Sequence, residues 1–154
     1  MSDQFMRRAI ELALDNIRAG GGPFGAVIAK GARIIAQGAN RVTTTNDPTA
    51  HAEVVAIREA CRALKNFQLE GCELYTTCEP CPMCLGAIQW ARLARIHYAC
   101  TRADAAAAGF DDRTFHEEVT RPAERRAIEI VGEGREHGLE VFRAWLAKAD
   151  RRAY

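Results

Sequence analysis

Phe5, Ala9, Leu12, Ala13 and Ile17 recur at the three-to-four spacing of one helix face, and the run Gly20-Gly21-Gly22 ends that pattern. Residues 2 to about 19 therefore read as an amphipathic helix. The apolar segments Gly25–Lys30 and Arg33–Gln37 flank a Gly31-Ala32 turn and predict a hairpin. Asp47-Pro48 is a helix-start signal, and the stretch from Ala50 to about Leu64 has strong helix composition. Glu73–Thr77 reads as a strand, and Pro82 fits the first turn of a helix that continues to Ala91. Ile96–Ala99 predicts the next strand and Ala127–Val131 a last one. Leu139, Phe142, Trp145, Leu146 and Ala149 share one face of a terminal helix ending at Tyr154. Residues 102–124 mix an alanine run, a Gly109–Asp112 turn and a charged stretch, and predict no regular element. Strands alternating with helices imply an α/β layered domain with helices covering both faces of one sheet.

Two predicted helix starts carry the candidate chemistry. One is His51-Ala52-Glu53; the other is Pro80-Cys81-Pro82-Met83-Cys84. Together they match the H-x-E…P-C-x-x-C signature of zinc-dependent deaminases. His51, Cys81 and Cys84 supply one imidazole and two thiolates, the three-ligand set of a catalytic zinc that keeps an open position. A helix N-terminus lowers the pKa of thiols placed there. Two thiolates nearly neutralise the ion, so water activated there is acidified less than on an all-histidine site, and a nearby base is more necessary. Glu53, two residues after His51, is that candidate base and proton carrier. Cys78-Glu79-Pro80-Cys81 has the same gap as Cys81–Cys84, so a closed structural site with Cys78 as fourth ligand is the bland alternative. Cys61, Cys72 and Cys100 read as core residues or bystanders.

Composition narrows the picture. With 154 residues the chain is a single domain, 1–154, able to bury a core without staples. A net charge of +1 argues against a general electrostatic grip on nucleic acid. Glu11, Asp15 and Arg18 interrupt the N-terminal apolar residues, so no secretory signal is expected. No run of about 18 apolar residues predicts a membrane span. The expectation is a cytoplasmic protein whose six cysteines are metal ligands or buried thiols.

Three segments carry a family resemblance: Gly21–Ile28, Asn40 through Glu53, and Tyr75–Ile88. Asp104-Ala105-Ala106, Gly109-Phe110-Asp111-Asp112 and the ending Ala144–Tyr154 extend it over nearly the whole chain. The chain resembles the cytidine/deoxycytidylate deaminase zinc-binding superfamily and, within it, the bacterial guanine deaminase group. The resemblance implies a three-layer α/β/α cytidine-deaminase-like fold with a central mixed sheet of about five strands. It implies one Zn2+ per subunit, guanine hydrolysis to xanthine and ammonia, and a small nucleobase as partner. It places Phe24 in stacking on the purine, Asn40 in hydrogen bonding to its ring edge, and the Ala50 backbone in the pocket wall. Asp112 contacts the guanine and assists proton movement, and Tyr154 closes the pocket. It further implies a homodimer in which the helix and tail of about 135–154 are exchanged. The zinc motif alone also fits transfer-RNA adenosine, cytosine or amino-triazine (ammeline) deamination, and a non-catalytic zinc-stabilised binding domain is the reading from another class.

Overall fold

The computed structural model describes residues 2–154. It forms a first compact unit that ends at His116 and a second that spans Glu117–Tyr154. In the first unit, α1 (Ser2–Arg18) precedes the hairpin β1 (Gly25–Lys30) and β2 (Arg33–Ala39). A short helix α2 (Val42–Thr45) leads to α3 (Ala52–Leu64), β3 (Glu73–Cys78), α4 (Pro82–Trp90), β4 (Arg95–Cys100) and α5 (Arg102–Ala107). The sheet order is β2-β1-β3-β4, with β1 antiparallel to β2 and β3, and β3 parallel to β4. It is the expected mixed sheet, with four strands among the described residues.

β1 is apolar throughout because both of its faces are covered. Ala26 and Ile28 face a cluster with Leu74 of β3, Ala52, Ala56 and Ala60 of α3, and Ile88 of α4. Val27 and Ala29 face the other way, onto Tyr75 and onto Phe5 and Ala9 of α1. The three layers are thus α1, the sheet, and α3 with α4. Alanines at every fourth position let α3 approach the sheet closely. At the closest point, a Cβ on Gly38 would land on the Ala52 carbonyl and the Ala56 amide nitrogen. Glycine at 38 is therefore what seats the start of α3, and with it His51 and Glu53, against β2.

α6 (Arg113–Thr120) was not visible in the charged stretch of sequence. The second unit contains the end of that helix, a 3₁₀ turn at Ala123–Arg125 and α7 (Arg135–Ala147). Arg121 pairs with Glu117 and Glu118, and Glu118 Oε2 accepts from the Ala127 N–H at 2.8 Å. The expected strand at Ala127–Val131 does not form. Its residues are exposed, and the Ala127 amide is bound to a side chain instead of a ladder partner. Strand propensity without a neighbouring strand leaves backbone groups unpaired, so the segment stays irregular. The terminal helix stops at Ala147, and Lys148–Tyr154 is not helical. Among the described residues no helix is long and apolar enough to cross a membrane.

Candidate active site

The N-termini of α3 and α4 supply the site. His51 is the N-cap of α3 and Cys81 the N-cap of α4, and neither side chain makes the usual capping hydrogen bond. Both side chains turn toward each other instead. His51 Nδ1 lies 3.6 Å from Cys81 Sγ and 3.5 Å from Cys84 Sγ, and all three donor atoms fall within 4.8 Å of one another. A tetrahedral zinc with bonds of about 2.1 Å to nitrogen and 2.3 Å to sulfur holds such donors about 3.6 Å apart. The donor set and its spacing therefore fit one zinc ion. Cys78 stays out of this group: its thiol points to the Thr101 carbonyl oxygen at 3.7 Å. The closed four-ligand alternative thus lacks its fourth ligand.

The charges are tuned to a cation. Hydrogen bonding from the Cys84 thiol, and then from His51, holds Cys81 down at about 4, while the same pairing and burial push Cys84 up. Two thiols that share one proton both ionise when a divalent cation takes the proton's place. The hydrogen bond to Cys81 in turn raises His51.

Glu53 is 6% exposed, and burial pushes its carboxyl above the usual carboxylate range. The Thr76 hydroxyl on β3 donates to Glu53 Oε1 at 3.3 Å. Next along β3, Thr77 Oγ1 accepts from the Gly25 N–H at 3.2 Å, tying the start of β1 to the site. The Asn40 N–H donates to the Phe24 carbonyl at 3.0 Å, and the Arg41 N–H donates to the Ala50 carbonyl at 2.9 Å. Asn16 Nδ2 on α1 donates to the carbonyls of Gly22 and Asn40, at 2.8 and 2.7 Å. Asn40 is buried; its Oδ1 accepts from the Val42 N–H at 3.2 Å, which leaves its Nδ2 as a donor for a ligand. Phe24 meets Phe110 edge to face, with ring centroids 4.9 Å apart. That contact brings the Gly109–Asp112 segment to the same side of the sheet as Phe24.

The first unit thus gathers His51, Glu53, Cys81 and Cys84 in one cluster, with Phe24, Asn40 and Ala50 on the segments hydrogen-bonded beside it. Asp112 lies within electrostatic reach of Cys78: that thiol, pushed up to about 11 mainly by burial, also feels the charges of Glu53 and of Asp112. Tyr154 belongs to the second unit and is exposed.

The family model for the cytidine and deoxycytidylate deaminase zinc-binding region matches residues 1–100. The chain belongs to that family. Its likeness to members extends further. It is 53% identical to guanine deaminase of Bacillus subtilis (strain 168) over 153 residues, 99% of this chain and 98% of that protein. An X-ray structure of guanine deaminase from Bacillus subtilis superposes with a TM-score of 0.96, covering 99% of this chain and 98% of that one. A transfer-RNA-specific adenosine deaminase of Agrobacterium fabrum is 47% identical over 93 residues, 58% of this chain and 61% of the relative. A structure of guanine deaminase from Nitrosomonas europaea is 32% identical with a TM-score of 0.69, covering 94% of this chain and 84% of that one. As a zinc-binding deaminase domain with a His/Cys/Cys cluster, the chain takes one Zn2+.

Three further residues at the site escaped the reading of the sequence. Thr76 and Thr77 looked like ordinary strand residues, since threonine is common there. Phe110 lies in the Gly109–Asp112 segment, but only the fold brings it to Phe24. Arg92 and Arg95, the basic pair adjoining the cysteine motif, line a groove at the C-terminal end of α4, the opposite end from Cys81 and Cys84.

Proposed function

We propose that this chain hydrolyses guanine to xanthine and ammonia. The observation that carries the reading is likeness to guanine deaminase over 99% of the chain, against 58% for the transfer-RNA enzyme. His51, Cys81 and Cys84 hold the zinc, which supplies Lewis-acid activation of the attacking water. Glu53 would take a proton from the attacking water and deliver protons first to the ring nitrogen, as the C2–O bond forms, and then to the amine, which leaves as ammonia when the C2–N bond breaks. Its raised pKa suits a group that must both accept and return a proton. The Thr76 hydrogen bond orients its carboxyl for that exchange. Phe24, braced by Phe110, offers a ring for the purine to stack on. Asn40 Nδ2 donates to the purine edge, the Ala50 backbone forms the adjoining wall, and Asp112 accepts from a purine N–H. The reaction belongs to the cytoplasm.

Ammonia release from the zinc-loaded protein tests this reading against guanine, guanosine, adenosine, cytosine, ammeline and a transfer-RNA anticodon stem. Guanine is expected to exceed every other compound by about 10²-fold in kcat/KM, as expected when buried polar groups are left unpaired by the wrong ligand. Turnover of guanosine without guanine, or of the transfer RNA alone, would overturn it.

We infer further that the protein is a homodimer with exchanged C-terminal segments, a second copy covering the second unit. No residue of Glu117–Tyr154 is buried, and α7 exposes Val141, Phe142 and Leu146 at 68%, 66% and 63%. Each such side chain gains about 1.5–3 kcal/mol on full burial, so an apolar helix left uncovered is unfavourable. In this arrangement Tyr154 closes the site of the opposite subunit. Co-expressing Glu53→Gln with Tyr154→Ala tests the exchange: mixed dimers then carry one intact site and regain activity. A monomer in light scattering, or no regained turnover in mixed dimers, refutes it.

A further inference from the structure

Asp111 and Asp112 are adjacent and chemically identical, yet the fold commits them differently. Both Asp111 oxygens are taken by Arg113, with Oδ1 to Nε at 3.0 Å and Oδ2 to Nη2 at 2.6 Å, and Oδ1 also accepts from the Arg113 N–H at 3.1 Å. Asp111 is a fastener of its own loop. Asp112 makes one side-chain hydrogen bond among the described residues, its Oδ2 accepting from His116 Nε2 at 3.0 Å. The Asp112 carbonyl accepts the N–H groups of Phe115 and His116 at 3.0 and 3.2 Å. Asp112 therefore opens α6, and His116 stands one turn along the same helix face.

The pair is not an ordinary solvated helix pair. Asp112 and His116 are 20% and 23% exposed, against 73% and 74% for Asp3 and Arg7, also four residues apart. A pair as exposed as the latter contributes little. In the shielded pair, a carboxylate acceptor requires the imidazole proton on Nε2, and one N–H donor fixes the rotation of the carboxylate. Oδ1 is left to accept from a ligand. The sequence carries this as Asp112-x-x-x-His116, a spacing that means nothing until Phe110 is seen against Phe24.

We infer that His116 is a positioning residue for the reaction, holding the Asp112 carboxylate at the angle at which Oδ1 receives a purine N–H. The inference rests on the reading of Asp112 as a purine-contacting group, and the test separates the two.

A double-mutant cycle in zinc-loaded protein compares His116→Ala, Asp112→Asn and the pair, with His116→Gln as the rescue, since the Gln amide nitrogen reaches where Nε2 lies. His116→Ala is expected to lower kcat/KM for guanine about 30-fold and to weaken 8-azaguanine binding, with zinc content and Tm unchanged. His116→Gln restores kcat/KM to within about threefold of the parent, and His116→Ala costs nothing further in the Asp112→Asn background. Full activity of Asp112→Asn overturns the reading of Asp112 and the inference with it. A large loss in Asp112→Asn with His116→Ala near wild type overturns only the inference. So does a His116→Ala loss that persists undiminished in the Asp112→Asn background, or one that tracks a falling Tm in both His116 variants.

Discussion

Glu53→Gln is expected to lower guanine turnover by about 10³-fold while the zinc content stays at one per chain. That magnitude is typical of a positioned general acid–base group. The amide keeps the size of the side chain and an oxygen to accept the Thr76 hydrogen bond, so packing is undisturbed. The same substitution has a second, opposite consequence. Burial raises the Glu53 pKa in the folded chain, so folding favours its protonated form. The stability linked to that proton is present at acid pH and is lost as pH rises through the folded-state pKa. Glutamine mimics the protonated form and loses nothing. In metal-free protein the Tm of Glu53→Gln should therefore match wild type near pH 4 and exceed it increasingly toward pH 8. Measurement of kcat, metal content and Tm at several pH values checks both parts. Turnover near the wild-type rate would remove Glu53 from the mechanism, and a lower Tm at pH 8 would contradict the cost of burying its charge.

The two helix-start motifs were legible because their geometry is local. A ligand at an N-cap and a ligand in the first turn need only a helix beginning at the right residue. Pro82 at the first position of α4 signals such a beginning, whereas Asp47 closes a turn at Thr49 and α3 starts at Ala52, two residues after the expected Ala50. The same holds for β1, β2 and α1, whose patterns repeat within a few residues. What stayed hidden depends on distant pairing. Nothing near Thr76 in the sequence says that its hydroxyl meets Glu53, twenty-three positions earlier. Nothing near Phe24 points to Phe110. The Ala127–Val131 segment shows the converse error: isoleucine and valine gave it strand character, but a strand is completed only by a neighbour. The distinction between Asp111 and Asp112 was equally invisible, because it lies in which side chain each carboxylate meets.

The resemblance placed Asp112 and Tyr154 in the site, and the fold treats them unequally. Asp112 lies within electrostatic reach of Cys78, whose thiol also feels Glu53. Tyr154 lies in a unit without buried residues.

Cys84→Ala should abolish zinc binding and guanine turnover together, with a stability loss that added zinc cannot repair. Cys84 is fully buried in the first turn of α4. The N-caps of α3 and α4 forgo the side-chain caps that usually stabilise a helix start by about 1 kcal/mol each. Two helix dipoles also aim their positive ends at one place. Thiolates and a cation answer that arrangement jointly: the negative sulfurs lie at the positive helix ends, and the cation holds the sulfurs ionised. Zinc at 1,000 times its Kd stabilises the folded state by about 4 kcal/mol. For a domain of this size that corresponds to roughly 8–16 °C of Tm. Wild-type protein should lose that margin on treatment with a chelator and regain it with added zinc. Cys84→Ala should sit near the chelated value under both conditions, since two ligands bind the ion much more weakly than three. Elemental analysis beside thermal melts decides the matter: one zinc per chain retained in Cys84→Ala, or a melt that zinc raises as far as in wild type, would refute the ligand set.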